Sequence, residues 1–158
     1  MFNDPAQTVA QFDLQSGWRV ADLGAGSGAL TLAAARAVGE VGRVYAIEVQ
    51  KDLLERLQKE ARAARIHNIE ILWGDIERLE GTHLKSGAID AAIASRVIFQ
   101  LEDPDGFAEE TKRILRVGGR LFVIDPADPT ALLTRHHFSV VKRLEVGKGQ
   151  YGIIFKKI

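Results

Sequence analysis

The stretch Val20-Ala21-Asp22-Leu23-Gly24-Ala25-Gly26-Ser27-Gly28 constrains this chain more than any other. An apolar strand runs into it, glycines stand at alternate positions, and an alanine-rich helix runs out of it. A side chain on such a turn would hold the backbone away from a ligand, which is why glycine is needed there. The free N–H groups at the start of the following helix then face the ligand's polar or anionic part. Asp22 falls at the carboxyl end of the strand, where open α/β sheets bind their ligands. The turn predicts a nucleotide-like molecule lying over residues 22–28.

Strand and helix patterns alternate along the rest of the chain. Strands are predicted at Trp18 to Leu23, Arg43 to Val49, Ile69 to Trp73, Ile89 to Ser95 and Arg120 to Asp125. Helices are predicted from Ala29 to Val38 and over residues 51–65, where Leu53, Leu54, Leu57, Ala61 and Ala64 share one face. A further helix starts at Asp103-Pro104, an N-cap followed by proline at the first helical position, and is stopped by Gly118-Gly119. Phe138 to Val146 and Tyr151 to Lys157 read as strands joined by a short turn, hence antiparallel. The fold expected is α/β: a doubly wound, mostly parallel sheet with helices on both faces and a C-terminal antiparallel hairpin. Residues 1–158 read as one domain, with a short helical segment (1–17), a ligand-binding core (18–125) and the closing hairpin (138–158). Trp18 and Trp73 are expected to be packing residues.

Composition removes several classes of function. Twenty-one basic residues balance twenty-one acidic ones, so no global charge draws the chain to nucleic acid or acidic lipid. Arg62 and Arg65, and Arg135 with Lys142 and Arg143, read as solvated faces rather than an RNA track. The absence of cysteine removes disulfides, thiolate metal sites and a cysteine nucleophile, and no metal is expected. No stretch approaches the roughly 20 apolar residues of a membrane span. The start of the chain has no signal-peptide pattern, so the expected location is the cytoplasm.

Further acidic residues separate the cofactor classes. Glu48 ends the second strand about 20 residues beyond the turn, where a carboxylate can accept both ribose hydroxyls. Asp75 follows a glycine at the end of the third strand and can accept from an exocyclic amine such as that of adenine. Asp22 can reach a ligand ammonium, directly or through water. Together they suit an adenosyl ligand that carries an amino acid.

In these motifs the chain resembles the class I S-adenosylmethionine-dependent methyltransferases, from about residue 5 to 125. The matching segments are residues 20–28, Tyr45-Ala46-Ile47-Glu48, Gly74-Asp75, residues 89–95, and Arg113 through Gly118-Gly119 to Leu121. The pattern Gly42-Arg43-Val44-Tyr45-Ala46-Ile47-Glu48 is most similar to the branch of quinone-biosynthesis and arsenite methyltransferases. The resemblance implies S-adenosyl-L-methionine as cofactor, S-adenosyl-L-homocysteine as product, and transfer of a methyl group by in-line displacement. It implies a cofactor-binding set of Asp22, Gly24, Ala25, Gly26, Gly28, Glu48, Val49, Asp75, Ile76, Ser95 and Arg96. Within that set the glycines meet the methionine moiety, Glu48 the ribose, Asp75 with Ile76 the adenine, and Ser95 with Arg96 flank the reacting methyl.

The chain also departs from the family's pattern. Only residues 1–17 precede the first strand, and between Asp125 and Phe138 the usual helix and substrate-covering insertion are nearly absent. The methyl pocket is then open, completed by a second subunit as in a homodimer, or closed by the substrate. The lack of cysteine argues against arsenite methylation through thiolates. The acceptor is unidentified, a small molecule being favoured over RNA or protein. None of His67, His83, His136 and His137 is assigned as a catalytic base. Two other readings stay open: a nicotinamide-dependent oxidoreductase, because Gly24-Ala25-Gly26-Ser27-Gly28-Ala29 fits the loose dinucleotide pattern, and a cofactor-binding subunit that needs a partner.

Overall fold

Asp4 opens the first helix by accepting a hydrogen bond from the Gln7 N–H at 3.4 Å, with Pro5 at the first helical position. The structure, a computed structural model, describes residues 4–158; Met1 to Asn3 of the expected N-terminal segment lie outside it. In chain order the elements are α1 (Pro5–Ala10), β1 (Arg19–Leu23), α2 (Ala29–Val38), β2 (Arg43–Glu48), α3 (Lys51–Ala63), β3 (Ile69–Trp73) and β4 (Ile89–Ser95). A 3₁₀ turn over Ile98–Gln100 follows, then α4 (Pro104–Ile114), β5 (Leu115–Asp125), α5 (Thr130–Arg135), β6 (Phe138–Leu144) and β7 (Tyr151–Lys157).

The strands form one sheet in the order β3-β2-β1-β4-β5-β7-β6. Pairing is parallel from β3 through to β5 and antiparallel where β7 meets β5 and β6. The chain leaves β1 in one direction toward β3 and returns through β4 in the other. The carboxyl ends of β1 and β4 are therefore a topological switch point, the place where such sheets hold ligands. One face of the sheet is covered by Val9 and Phe12 and by Ala33, Ala34 and Val38 of α2; Phe12 stacks on Phe122 of β5 with ring centroids 4.6 Å apart. The other face is covered by Phe107, Ala108 and Ile114 of α4 and Leu133 of α5, packed on Phe138 and Phe155. Apolar area buried on both faces is the main term holding the layers together.

Several expectations are corrected. The helix begun at Asp103 ends at Ile114, not at Gly118-Gly119, because Lys157 Nζ donates to the carbonyls of Lys112 (2.6 Å) and Leu115 (2.7 Å) and caps it from β7. Leu115 is already extended, and both glycines lie within β5 opposite a register shift between Ile89 and Ala91. The third helix stops at Ala63, leaving Ala64 as an exposed cap. The segment after Asp125 does hold a helix, α5, anchored by the fully buried Leu133. Trp73 is not a packing residue: it is 58% exposed, its indole N–H donates to the Val49 carbonyl at 2.9 Å, and Lys51 Nζ lies 4.2 Å from its ring centroid.

Candidate functional site

At the switch point the glycine turn folds back on the end of β2. The N–H groups of Gly24 and Ala25 both donate to the Ile47 carbonyl, at 2.9 and 3.0 Å. Gly24, Gly26 and Gly28 all have positive φ, at 76°, 56° and 83°, a region that side chains make costly. The three do different things. A Cβ on Gly24 would come within 2.6 Å of Val97, and one on Gly28 would collide with Leu57 of α3. A Cβ on Gly26 would meet nothing nearer than the Gly24 carbonyl oxygen at 3.9 Å, so its missing side chain is open space over the turn.

Two hollows of about 360 and 380 Å³ meet on this turn and share Gly24, Gly26, Ser95 and Arg96 as a common wall. The first lies toward α1 and is lined by Pro5, Thr8, Asp22, Leu30, Ile124 and Val146, among others. The second lies toward α3 and is lined by Glu48, Val49, Leu53, Asp75, Ile76 and Leu101, among others. All but one of the residues predicted to bind cofactor therefore line one crevice. The exception is Gly28, which sits buried as the N-cap of α2 against Leu57.

Asp22 is 2% exposed and accepts a hydrogen bond from Thr31 Oγ1 at 2.6 Å. Burial pushes its carboxyl up to about 6; the Thr31 hydroxyl works against that rise and the nearby Glu48 charge adds to it. Glu48 is a backbone staple. Its Oε1 accepts from Gly26 N–H at 3.0 Å, and its Oε2 from the N–H groups of Val49 (2.8 Å) and Gln50 (3.1 Å). That role was not visible in the sequence, because it joins residues 22 positions apart. Asp75 accepts from the Glu77 N–H at 2.9 Å, closing a short turn beside Ile76.

Ser95 ends β4, and Arg96 takes a left-handed backbone (φ 59°) with its N–H donating to the Ile124 carbonyl at 2.6 Å. Asp125, fully buried, holds the chain after β4 in place through the N–H groups of Ile98 (2.9 Å) and Phe99 (3.4 Å).

Sequence reasoning missed the wall of the first hollow. Pro5 and Thr8 of α1 and Val146 from the β6–β7 link close one side of it. The two segments are tied by Gln11 Nε2 donating to the Glu145 carbonyl at 3.3 Å. No local pattern marks residues that far apart as neighbours. None of the four histidines lines either hollow. His136 is held at 2.7 Å from both Glu109 and Asp105 of α4, and it draws both carboxyls below their usual range.

A methyltransferase domain family model matches residues 14–150. The chain belongs to the S-adenosylmethionine-dependent methyltransferases. A crystal structure of a SAM-dependent methyltransferase from Aquifex aeolicus is 25% identical, covers 99% of this chain and 90% of that one, and has a TM-score of 0.87. A tRNA (adenine(58)-N(1))-methyltransferase of Thermus thermophilus is 33% identical over 150 residues, which are 91% of this chain and 56% of that protein. Human arsenite methyltransferase is 30% identical over 118 residues, 71% of this chain and 31% of that protein. The chain thus spans between about a third and somewhat over half of the length of these curated relatives. Family membership sets aside the nicotinamide reading. Among the described residues no helix is long and apolar enough to cross a membrane.

Proposed function

We propose that this methyltransferase chain binds S-adenosylmethionine in the crevice at the β1–β4 switch point and passes its methyl group to a small-molecule acceptor, releasing S-adenosylhomocysteine. The observation that carries the reading is the placing of Asp22, Glu48 and Asp75 at or just past three successive strand ends around one crevice, with open space above Gly26. The cofactor's parts fit those residues. Asp22, a carboxyl held uncomfortably in a buried position, suits a ligand ammonium that restores its charge. Glu48 keeps lone pairs for the ribose diol beyond its backbone bonds, and Val49 and Ile76 border the space for a flat base. Asp75 accepts from the base's exocyclic amine.

The sulfonium of the cofactor supplies both the methyl group and its own leaving group. The chain has then to orient, enclose and exclude water. Ser95 and Arg96, common to both hollows, flank the place where they meet, and Leu30, Ile124 and Val146 present apolar surface to an acceptor in the first. Among the described residues the titratable side chains lining that hollow are Asp22 and Arg96, so the acceptor's own acidity, more than a protein base, sets its readiness to react. The limited size of this hollow and its wall of α1 and Val146 favour a small acceptor over a folded RNA.

Calorimetric titration with S-adenosylhomocysteine, with NADH and NADPH as controls, tests the cofactor assignment. Micromolar binding of the first alone is the expected result. Binding of a nicotinamide cofactor, or of none of the three, would overturn it, the latter pointing to a subunit that needs a partner. Glu48→Ala should weaken that binding by about 1–3 kcal/mol through lost charge-assisted hydrogen bonds. Glu48→Gln keeps one acceptor for the Val49 and Gln50 N–H groups and separates the staple from the ribose contact. If Glu48→Ala bound as tightly as wild type, the ribose role would be wrong.

A further inference from the structure

At the amino ends of β2 and β3, across the sheet from the crevice, lies a separate hollow of about 410 Å³. Arg36 from the last turn of α2, Arg43 from the start of β2, and Arg65 and His67 from the α3–β3 link line it. Glu40 is the single carboxylate among its lining residues. Arg43 is partly neutralised by Glu70 at 3.4 Å, whereas Arg36 and Arg65 form no ion pair among the described residues. In a chain whose charges balance overall, this is a local concentration of guanidinium groups.

Two further features suit an anion. The carbonyls at the end of α2 would repel one, but Asn68 Nδ2 donates to two carbonyls there, Ala35 O (2.8 Å) and that of the cap residue Gly39 (2.9 Å), and occupies them. Arg65 also occupies a position that side chains rarely take. The Ile66 N–H bonds to the Ala61 carbonyl (2.9 Å) and the Arg65 N–H to the Arg62 carbonyl (3.1 Å), a helix ending in which the residue at Arg65's place is left-handed and normally glycine. Arg65 has φ 56° there. Glycine would end the helix with less strain but would carry no charge to the rim of the hollow.

We propose that this hollow is an anion site for a phosphate-bearing ligand, with Arg36 and Arg65 as its principal donors. Guanidinium groups match phosphate oxygens two at a time, and two with no ion pair among the described residues, at a concave surface, suit a chain of phosphates better than a single carboxylate. The site is independent of the cofactor assignment. It would give the exposed Arg65, expected to belong to a solvated face, a ligand.

The test is titration of the protein with tripolyphosphate at low salt, and in parallel with a short single-stranded oligouridylate, for wild type, Arg36→Gln/Arg65→Gln and the charge-matched control Lys142→Gln/Arg143→Gln on β6. The result expected is saturable one-to-one binding of tripolyphosphate, weakened at least tenfold in the first variant and kept in the control. Tighter binding of the oligonucleotide at equal phosphate concentration, lost in the same variant, supports the site and identifies its source as a nucleic-acid backbone; binding of tripolyphosphate alone identifies a small phosphorylated ligand. Non-saturable binding, or equal loss in both variants, means a diffuse charge effect and overturns the proposal. Circular dichroism melts that match wild type show that the variants are folded, so a loss of binding is a loss of the site.

Discussion

Asp22→Asn should make the ligand-free protein more stable at pH 8 and deprive it of cofactor affinity. The Asp22 carboxyl is raised from 3.8 to about 6, chiefly by burial, so between those values the folded protein holds a proton that the unfolded chain has released. Asp22's own contribution to stability therefore falls as pH rises from about 4 to about 6 and stays low above that. A two-unit shift corresponds to about 3 kcal/mol. Asparagine keeps an oxygen for the Thr31 hydroxyl and carries no charge to bury, which removes that loss. The expected gain is up to about 3 kcal/mol at pH 8, or roughly 6–12 °C in Tm, shrinking toward zero near pH 4. In the wild type, a cationic ligand group beside Asp22 favours the ionised carboxylate, and S-adenosylhomocysteine should bind about tenfold more weakly at pH 5 than at pH 7. Melting curves and titrations across pH 4–8 check both halves. A variant that is less stable at pH 8 and binds normally would show that Asp22 serves packing and not the ligand. The trade is one expected of a binding site, where a group unfavourable to the fold is retained for what it recognises.

How much of this could be read from the residues depends on how local each signal is. The glycine turn, the helix from Ala29 to Val38, the strands at Ile69–Trp73 and Ile89–Ser95, and the Asp103-Pro104 helix start all stand where the pattern put them, because each is decided by neighbours in sequence. The C-terminal hairpin was legible as a hairpin but not in its placing. β7 inserts between β5 and β6, and a clue lay in the composition: Ile153-Ile154-Phe155 is apolar on both faces, as a central strand needs, whereas Lys142-Arg143 suits an edge. The end of α4 was misread because its cap is Lys157, far along the chain. Position in the sequence singled out Glu48 as a candidate, yet its three backbone bonds could only be seen once the turn and β2 were brought together.

Gly26→Val and Gly28→Ala should part binding from folding. At Gly26 a side chain enters open space over the turn, so the cost to the fold is mainly that of a branched residue at φ 56°, about 1–2 kcal/mol. The same side chain occupies the crevice, and S-adenosylhomocysteine affinity should drop by at least about a hundredfold, since the ligand can no longer approach the backbone. At Gly28 the added methyl runs into Leu57, which is fully buried and has little room to yield. Left-handed strain at φ 83° adds to that collision, for a total of about 2–4 kcal/mol and a Tm lower by roughly 5–15 °C. Because Gly28 does not line the crevice, its variant should still bind within a few-fold of wild type at a temperature where it is folded. Paired melts and titrations read out both substitutions. Retained binding in Gly26→Val would mean that the ligand does not lie over the turn at all. Lost binding in a folded Gly28→Ala would mean that the N-terminus of α2 takes part directly, and that the third glycine serves the ligand as well as the packing of α3.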